Sequence, residues 1–171
     1  MGALSRHVGE NMKLVLFEYR CKSCGEIFKA PQVSSHAYGE FLLRKKNSSS
    51  LRYLDAINSS VYSDVARDIK LTPETSGLTE VQQADVLQAI FGVVACDPDA
   101  DGQPFHMGLM PRCPHCKDRD ALSWNITDPI EFVETEVPPV TFFVWHGLTP
   151  RERKTKILDS VRNFLPKMRV A

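Results

Sequence analysis

Apolar residues recur along this chain in two different periods, and the period assigns the elements. The runs KLVLFEYR at 13–20 and ALSWNI at 121–126 are short, rich in β-branched and aromatic side chains, and read as strands. GEFLLRKK and LRYLDAI flank the polar NSSS, which predicts a hairpin that extends the first strands' sheet; a helix through LRYLDAI is the competing reading. Downstream the period lengthens. Val61, Val65 and Ile69 fall four apart, one face of a helix, with serines before them as N-cap. TPETSG is then a loop. Thr79 and Gln82 have capping-box spacing, Val81, Ala84, Leu87 and Phe91 supply an apolar face, and Gly92 is placed as the C-cap.

The C-terminal third has its own punctuation. Asp128, Glu131, Glu134 and Glu136 form an acidic patch, Pro138 and Pro139 break the chain, and VTFFVWHG reads as an extended apolar segment. Trp145 and the phenylalanines before it are expected in the core. Thr149, Pro150 and Glu152 open a last helix, whose Ile157, Val161, Phe164 and Leu165 share a face until Pro166 ends it. Its other face carries Arg151, Arg153, Lys154, Lys156 and Arg162.

The cysteines change the picture. Cys21 and Cys24 form one C-x-x-C pair, and Cys113 and Cys116 another. Two intervening residues let both sulfurs of a pair face one ion, and two such turns supply the four ligands of a closed tetrahedral site. Separate reduced or redox-active pairs are the alternative, but a redox pair opens a helix in a βαβ setting, and strands surround both pairs here. His115 lies between two better-spaced thiols and reads as an exposed turn residue. Cys96 has no partner at ligand spacing and reads as a buried thiol.

Tyr19, Cys21, Cys24, Gly25 and Phe28 in one half, with Cys113, Pro114 and Cys116 in the other, resemble the zinc ribbon or rubredoxin-like knuckle, Y-x-C-x-x-C-G-x-x-F and C-P-x-C. The resemblance covers residues 13–30 and 110–127. Lys117 stands where the pattern has glycine, and the halves lie much further apart than in an ordinary ribbon, which implies an inserted subdomain at 31–109. It implies one zinc ion on Cys21, Cys24, Cys113 and Cys116, with iron as the alternative metal.

Composition sets outer bounds. The 171 residues are 43% apolar and 25% charged, ordinary for a folded chain. The 21 basic and 21 acidic side chains cancel, against a domain that grips phosphate by net charge alone. They are unevenly spread: residues 61–110 hold eight acidic and two basic groups, and basic groups gather at 44–46, 112–119 and 151–156. DPDADG at 97–102 opens like a calcium loop, yet its twelfth position is Gly108, which has no carboxylate to give, so an acidic surface turn is expected. No run of 18 apolar residues occurs and MGALSRHVGENMK lacks a secretion core, so a cytoplasmic location is expected.

These readings combine into an α+β fold of one domain over 1–171: a small antiparallel zinc-ribbon sheet, an insert of hairpin plus two helices, and a strand-helix extension over 128–171. No phosphate loop, nucleophile elbow or H-E-x-x-H is present, so no catalytic residues are expected. The expected function is a zinc-stabilised, non-catalytic binding or adaptor protein with a protein partner. Nucleic-acid binding, as in transcription or translation factors, is the first alternative, and electron transfer by an iron-loaded site the second.

Overall fold

The computed structural model describes residues 11–34 and 37–168. The reading that the amino terminus is no leader rests mainly on residues 1–10, outside those described. The fold is α+β. Strands β1 (Asn11–Cys21), β2 (Ile27–Gln32), β3 (Glu40–Lys45) and β4 (Leu51–Asp55) precede helices α1 (Ser60–Lys70) and α2 (Glu80–Ala95). After these come β5 (Phe105–His106), β6 (Ala121–Ile126), β7 (Phe132–Glu136), α3 (Phe143–Gly147) and α4 (Pro150–Met168).

β1 organises the first sheet. At 11 residues it is long enough to pair β2 along one edge, over Val15–Arg20. Its other edge is shared by β7, over Asn11–Val15, and β6, over Phe17–Cys21, all antiparallel. β7 is not anticipated in the sequence, where its acids read as a surface patch, and neither is the short β5. Glu134 stands opposite Lys13 in β1, a cross-strand pair of opposite charge that fits an acidic residue into a sheet.

The hairpin forms as expected, but it does not extend that sheet. β3 and β4 pair with β5 in a separate three-stranded sheet, order β4-β3-β5. Consecutive side chains of a strand point to opposite faces, and here both are covered. Leu42 packs with Leu14 and Val137 against the first sheet. Leu43 packs with Leu54, Val65, Phe91, Trp145 and Val161 among the helices. A strand buried on both faces is a middle layer, and so cannot be an edge continuation of the ribbon.

The helices depart from expectation at their ends. α1 buries Val61, Val65 and Ile69, with Ser59 capping the amide of Tyr62. α2 has the expected capping box, but its buried face is Val86, Leu87, Ile90, Phe91 and Val94, while Val81 is 72% exposed and Ala84 is also exposed. It also runs through Gly92 to Ala95. Gly92 is buried inside the helix because any Cβ there would collide with the carbonyl of Phe105, so glycine serves close packing rather than termination.

VTFFVWHG is not extended. It turns into the short helix α3, whose first amides, Phe143 and Val144, donate to the Asp97 carboxylate at 2.7 and 2.9 Å. That fold buries Trp145 at 1% exposure and leaves Phe143 at 80%. α4 opens on the expected reciprocal bonds between Thr149 and Glu152, and continues two residues past Pro166 to Met168.

Candidate metal centre

Two turns of the same design face one another at the end of the first sheet. In the first, the Cys21 amide donates to the Glu26 carbonyl at 2.9 Å and the Gly25 amide donates back to the Cys21 carbonyl at 3.0 Å. In the second, Cys113 donates to Asp118 at 2.8 Å and Lys117 donates to Cys113 at 3.0 Å. A bulge between Arg20 and Cys21 in the β1–β6 pairing bends the ladder where the first turn begins. The Lys22 amide donates to the Asp120 carbonyl at 2.8 Å, and the Ser23 hydroxyl donates to the Asp118 carboxylate, so the turns are bonded to each other as well.

This brings together the four cysteines singled out in the sequence. Their sulfurs all lie within 4.8 Å of one another, with Cys21–Cys116 at 3.5 Å and Cys24–Cys113 at 3.7 Å. A tetrahedron of metal–sulfur bonds near ~2.3 Å has edges of about 3.8 Å. A disulfide would need ~2.05 Å, so these are free thiols set at ligand separation. Cys21 and Cys113 are buried, and Cys24 and Cys116 close the outer side.

Electrostatics favours a cation in the middle. Burial pushes the Cys113 thiol up, yet hydrogen bonds from the amides of Cys116 and His115 and from the neighbouring thiols bring it down to about 7. The Asp118 amide lowers Cys116, but burial and the other three cysteines outweigh it and push it up to about 12. Cys24 is also raised: the Glu26 amide lowers it, against burial and the Cys21 and Cys113 thiols. A thiol lowered at Cys113 thus stands beside thiols raised at Cys24 and Cys116, and a bound divalent cation would supply the charge that lets several ionise together.

The surroundings fix the turns to the insert. Beneath the cysteines Tyr19 is buried and stacks on Phe28 with ring centres 5.5 Å apart, and its hydroxyl accepts from Gln32 at 2.8 Å. Arg119, which follows the second turn, donates to the carbonyls of Met110 at 2.6 Å, Ser48 at 3.1 Å and Lys45. Arg112 donates to Lys117 at 3.2 Å and Asn47 at 3.1 Å. The centre therefore anchors the β3–β4 turn as well as the first sheet.

The remaining candidates fall outside the cluster. Cys96 is buried at the end of α2, and burial, with a smaller contribution from Asp97, pushes its thiol up to about 12. His115 is exposed and not among the clustered groups. In the acidic turn Asp97 caps α3, Asp101 accepts from Lys45 at 2.5 Å, and Asp99 pairs with Lys45 at 3.3 Å and with Arg52. These carboxylates are occupied by the protein's own cations and amides. A cleft of about 880 Å³ between β1 and the hairpin is lined by none of the four cysteines.

Sequence reading missed the Ser23–Asp118 link and the meeting of basic residues from 44–46 and 112–119. Neither has a local periodic signal, since each depends on the two turns coming together. Compared with models of known protein families, with curated proteins and with solved structures, the chain matches none of them. No described helix is long and apolar enough to cross a membrane.

Proposed function

We propose that the protein is a zinc-stabilised, non-catalytic binding module, in which the metal clamps the first sheet and the edge strand β6 receives an extended segment of a protein partner. Four thiolates suit zinc and leave no open coordination position for water or substrate, which supports a structural rather than catalytic ion.

One observation carries the binding reading. β6 ends the sheet order β2-β1-β6, so its outer edge is unpaired among the described residues. Its Leu122, Trp124 and Ile126 are exposed, Trp124 at 54%. Sheet edges in soluble proteins are ordinarily blunted by charge, proline or a covering element, and ALSWNI contains no charged residue and no proline. An edge of this kind is a template for an added strand, with backbone bonds giving affinity and alternate side chains giving choice.

The test has two parts. Elemental analysis of purified protein should find one zinc per chain, lost to a strong chelator; iron with visible absorption would instead favour electron transfer. A photo-crosslinking residue at Trp124 in living cells should give a discrete protein adduct that the same residue at Leu71, an exposed apolar site on the helical side, does not. Identical adducts from both positions, or none from Trp124, would overturn the docking role of β6.

A further inference from the structure

Two of the three basic runs in the sequence meet in the folded chain. Arg112 reaches the carbonyl of Asn47, 65 residues away, while Arg119 reaches those of Lys45 and Ser48. Lys46 is exposed on the same turn, and Lys117, whose carbonyl accepts from Arg112, is exposed on the second knuckle. The third run, on α4, has no part in this.

These cations are not paired with acids. The guanidinium groups of Arg112 and Arg119 donate to main-chain carbonyls, and the nearby Asp118 carboxylate is engaged by the Arg119 amide at 2.7 Å and by Ser23. The ion pairs among the described residues involve Lys29, Lys45, Arg52, Arg67 and Arg162, and none involves Lys46, Arg112, Lys117 or Arg119. Carbonyls satisfy the guanidinium hydrogens but leave the charge uncancelled. The groups repel one another: Arg112 lowers the affinity of Arg119 for its proton, after burial, and His106 is lowered by burial and then by Lys46 and Arg119. The contrast within one strand is informative. Lys45, adjacent to Lys46, is held by both Asp99 and Asp101, whereas Lys46 has no ion pair among the described residues.

The shape narrows the partner. None of the four lines the cleft between β1 and the hairpin or the small one on α4. A strip of charge on an open surface suits a polymer whose charges are also spaced along a line, and arginine forks match phosphate oxygens. We propose that Lys46, Arg112, Lys117 and Arg119 form a strip that binds the phosphate backbone of a nucleic acid. The strip uses different residues from β6, and stands or falls independently of the partner proposed there.

Fluorescence anisotropy with the zinc-loaded full chain and labelled single-stranded 20-mers tests this. Three or four phosphate contacts give a log–log salt slope of roughly −2 to −3, a weakening of about 30-fold from 50 to 200 mM salt. Lys46→Gln with Lys117→Asn, asparagine being tolerant of the backbone conformation at 117, should lower that slope by roughly 1 to 1.5 and weaken binding, with zinc content unchanged. Arg151→Gln with Lys154→Gln on α4 should leave binding intact. No binding at 50 mM salt, an equal loss from the α4 pair, or displacement by polyglutamate at equal charge concentration would each overturn the proposal, the last by assigning the strip to acidic polypeptide.

Discussion

Gly25 and Lys117 hold the same left-handed backbone conformation, φ 75° and 68°, at equivalent places in the two knuckles. Each donates its amide to the carbonyl of the first cysteine in its pair. Glycine adopts this conformation without strain, whereas a side chain raises its energy by about 1 kcal/mol. Lys117→Gly should therefore stabilise the zinc-loaded protein by roughly 0.5 to 1 kcal/mol, after the loss of the 2.5 Å bond from Lys117 Nζ to the Pro114 carbonyl. Gly25→Ala should cost about 1 kcal/mol, although nothing lies within 4 Å of the added Cβ. Thermal melts that show no opposition of sign between these two variants would show that the turns are not equivalent.

Metal removal should loosen more than the knuckles. A centre that joins Cys21 to Cys116 and Cys24 to Cys113 closes a loop of about ninety residues, the insert included, and a cross-link over that length contributes on the order of 4 kcal/mol. Cys21→Ser or Cys116→Ser should lower the melting temperature by about 10 °C, as should chelation of the wild type. Cys96→Ala, outside the cluster, should cost only about 1 to 2 kcal/mol and keep the metal. If all three variants melt together, the ligand set is wrong.

The centre was legible because its signal is local twice over: each C-x-x-C carries its spacing, and Gly25 its turn, within a few residues. The same holds for the capping pairs Thr79–Gln82 and Thr149–Glu152, which both appear as read. What the sequence hid depends on tertiary packing. Gly92 looks like a helix end until β5 is seen lying against it. VTFFVWHG has strand propensity, but the Asp97 carboxylate, 46 residues before Phe143, draws it into a helix. The hairpin's sheet could not be inferred from alternation, since adjacent Leu42 and Leu43 are both buried and the run has no polar face to mark an outside.

That capping role of Asp97 can be measured. Its carboxylate accepts from Thr141 Oγ1 at 2.7 Å and from the amides of Phe143 and Val144. Asp97→Asn should weaken α3 at a cost of about 1 to 2 kcal/mol and move the emission of buried Trp145 to longer wavelength. Burial raises the carboxyl, but those three donors outweigh it and hold it below the ordinary range. A group lowered in the folded state contributes stability above its ordinary pKa and loses it as the pH falls. Wild type should therefore lose, below about pH 4, an increment that Asp97→Asn does not. Parallel acid profiles for the two would remove Asp97 from this role.

Cys96 should reveal itself at the opposite end of the scale. Its thiol ionises near 9.0 in the unfolded chain and is pushed up to about 12 by burial in the folded one. Below pH 9 the group is neutral in both states; above it the unfolded chain releases the proton first, so stability falls between pH 9 and about 12. At pH 10 the loss is on the order of 1 kcal/mol. Cys96→Ala is the less stable protein at pH 8, since it removes a buried side chain, but it has no proton to release. Urea unfolding of the two zinc-loaded proteins should show the gap between them narrowing by roughly 1 kcal/mol from pH 8 to pH 10. A gap constant with pH would mean that the Cys96 thiol reaches solvent in the folded protein, and the same protein would then alkylate at Cys96 without unfolding.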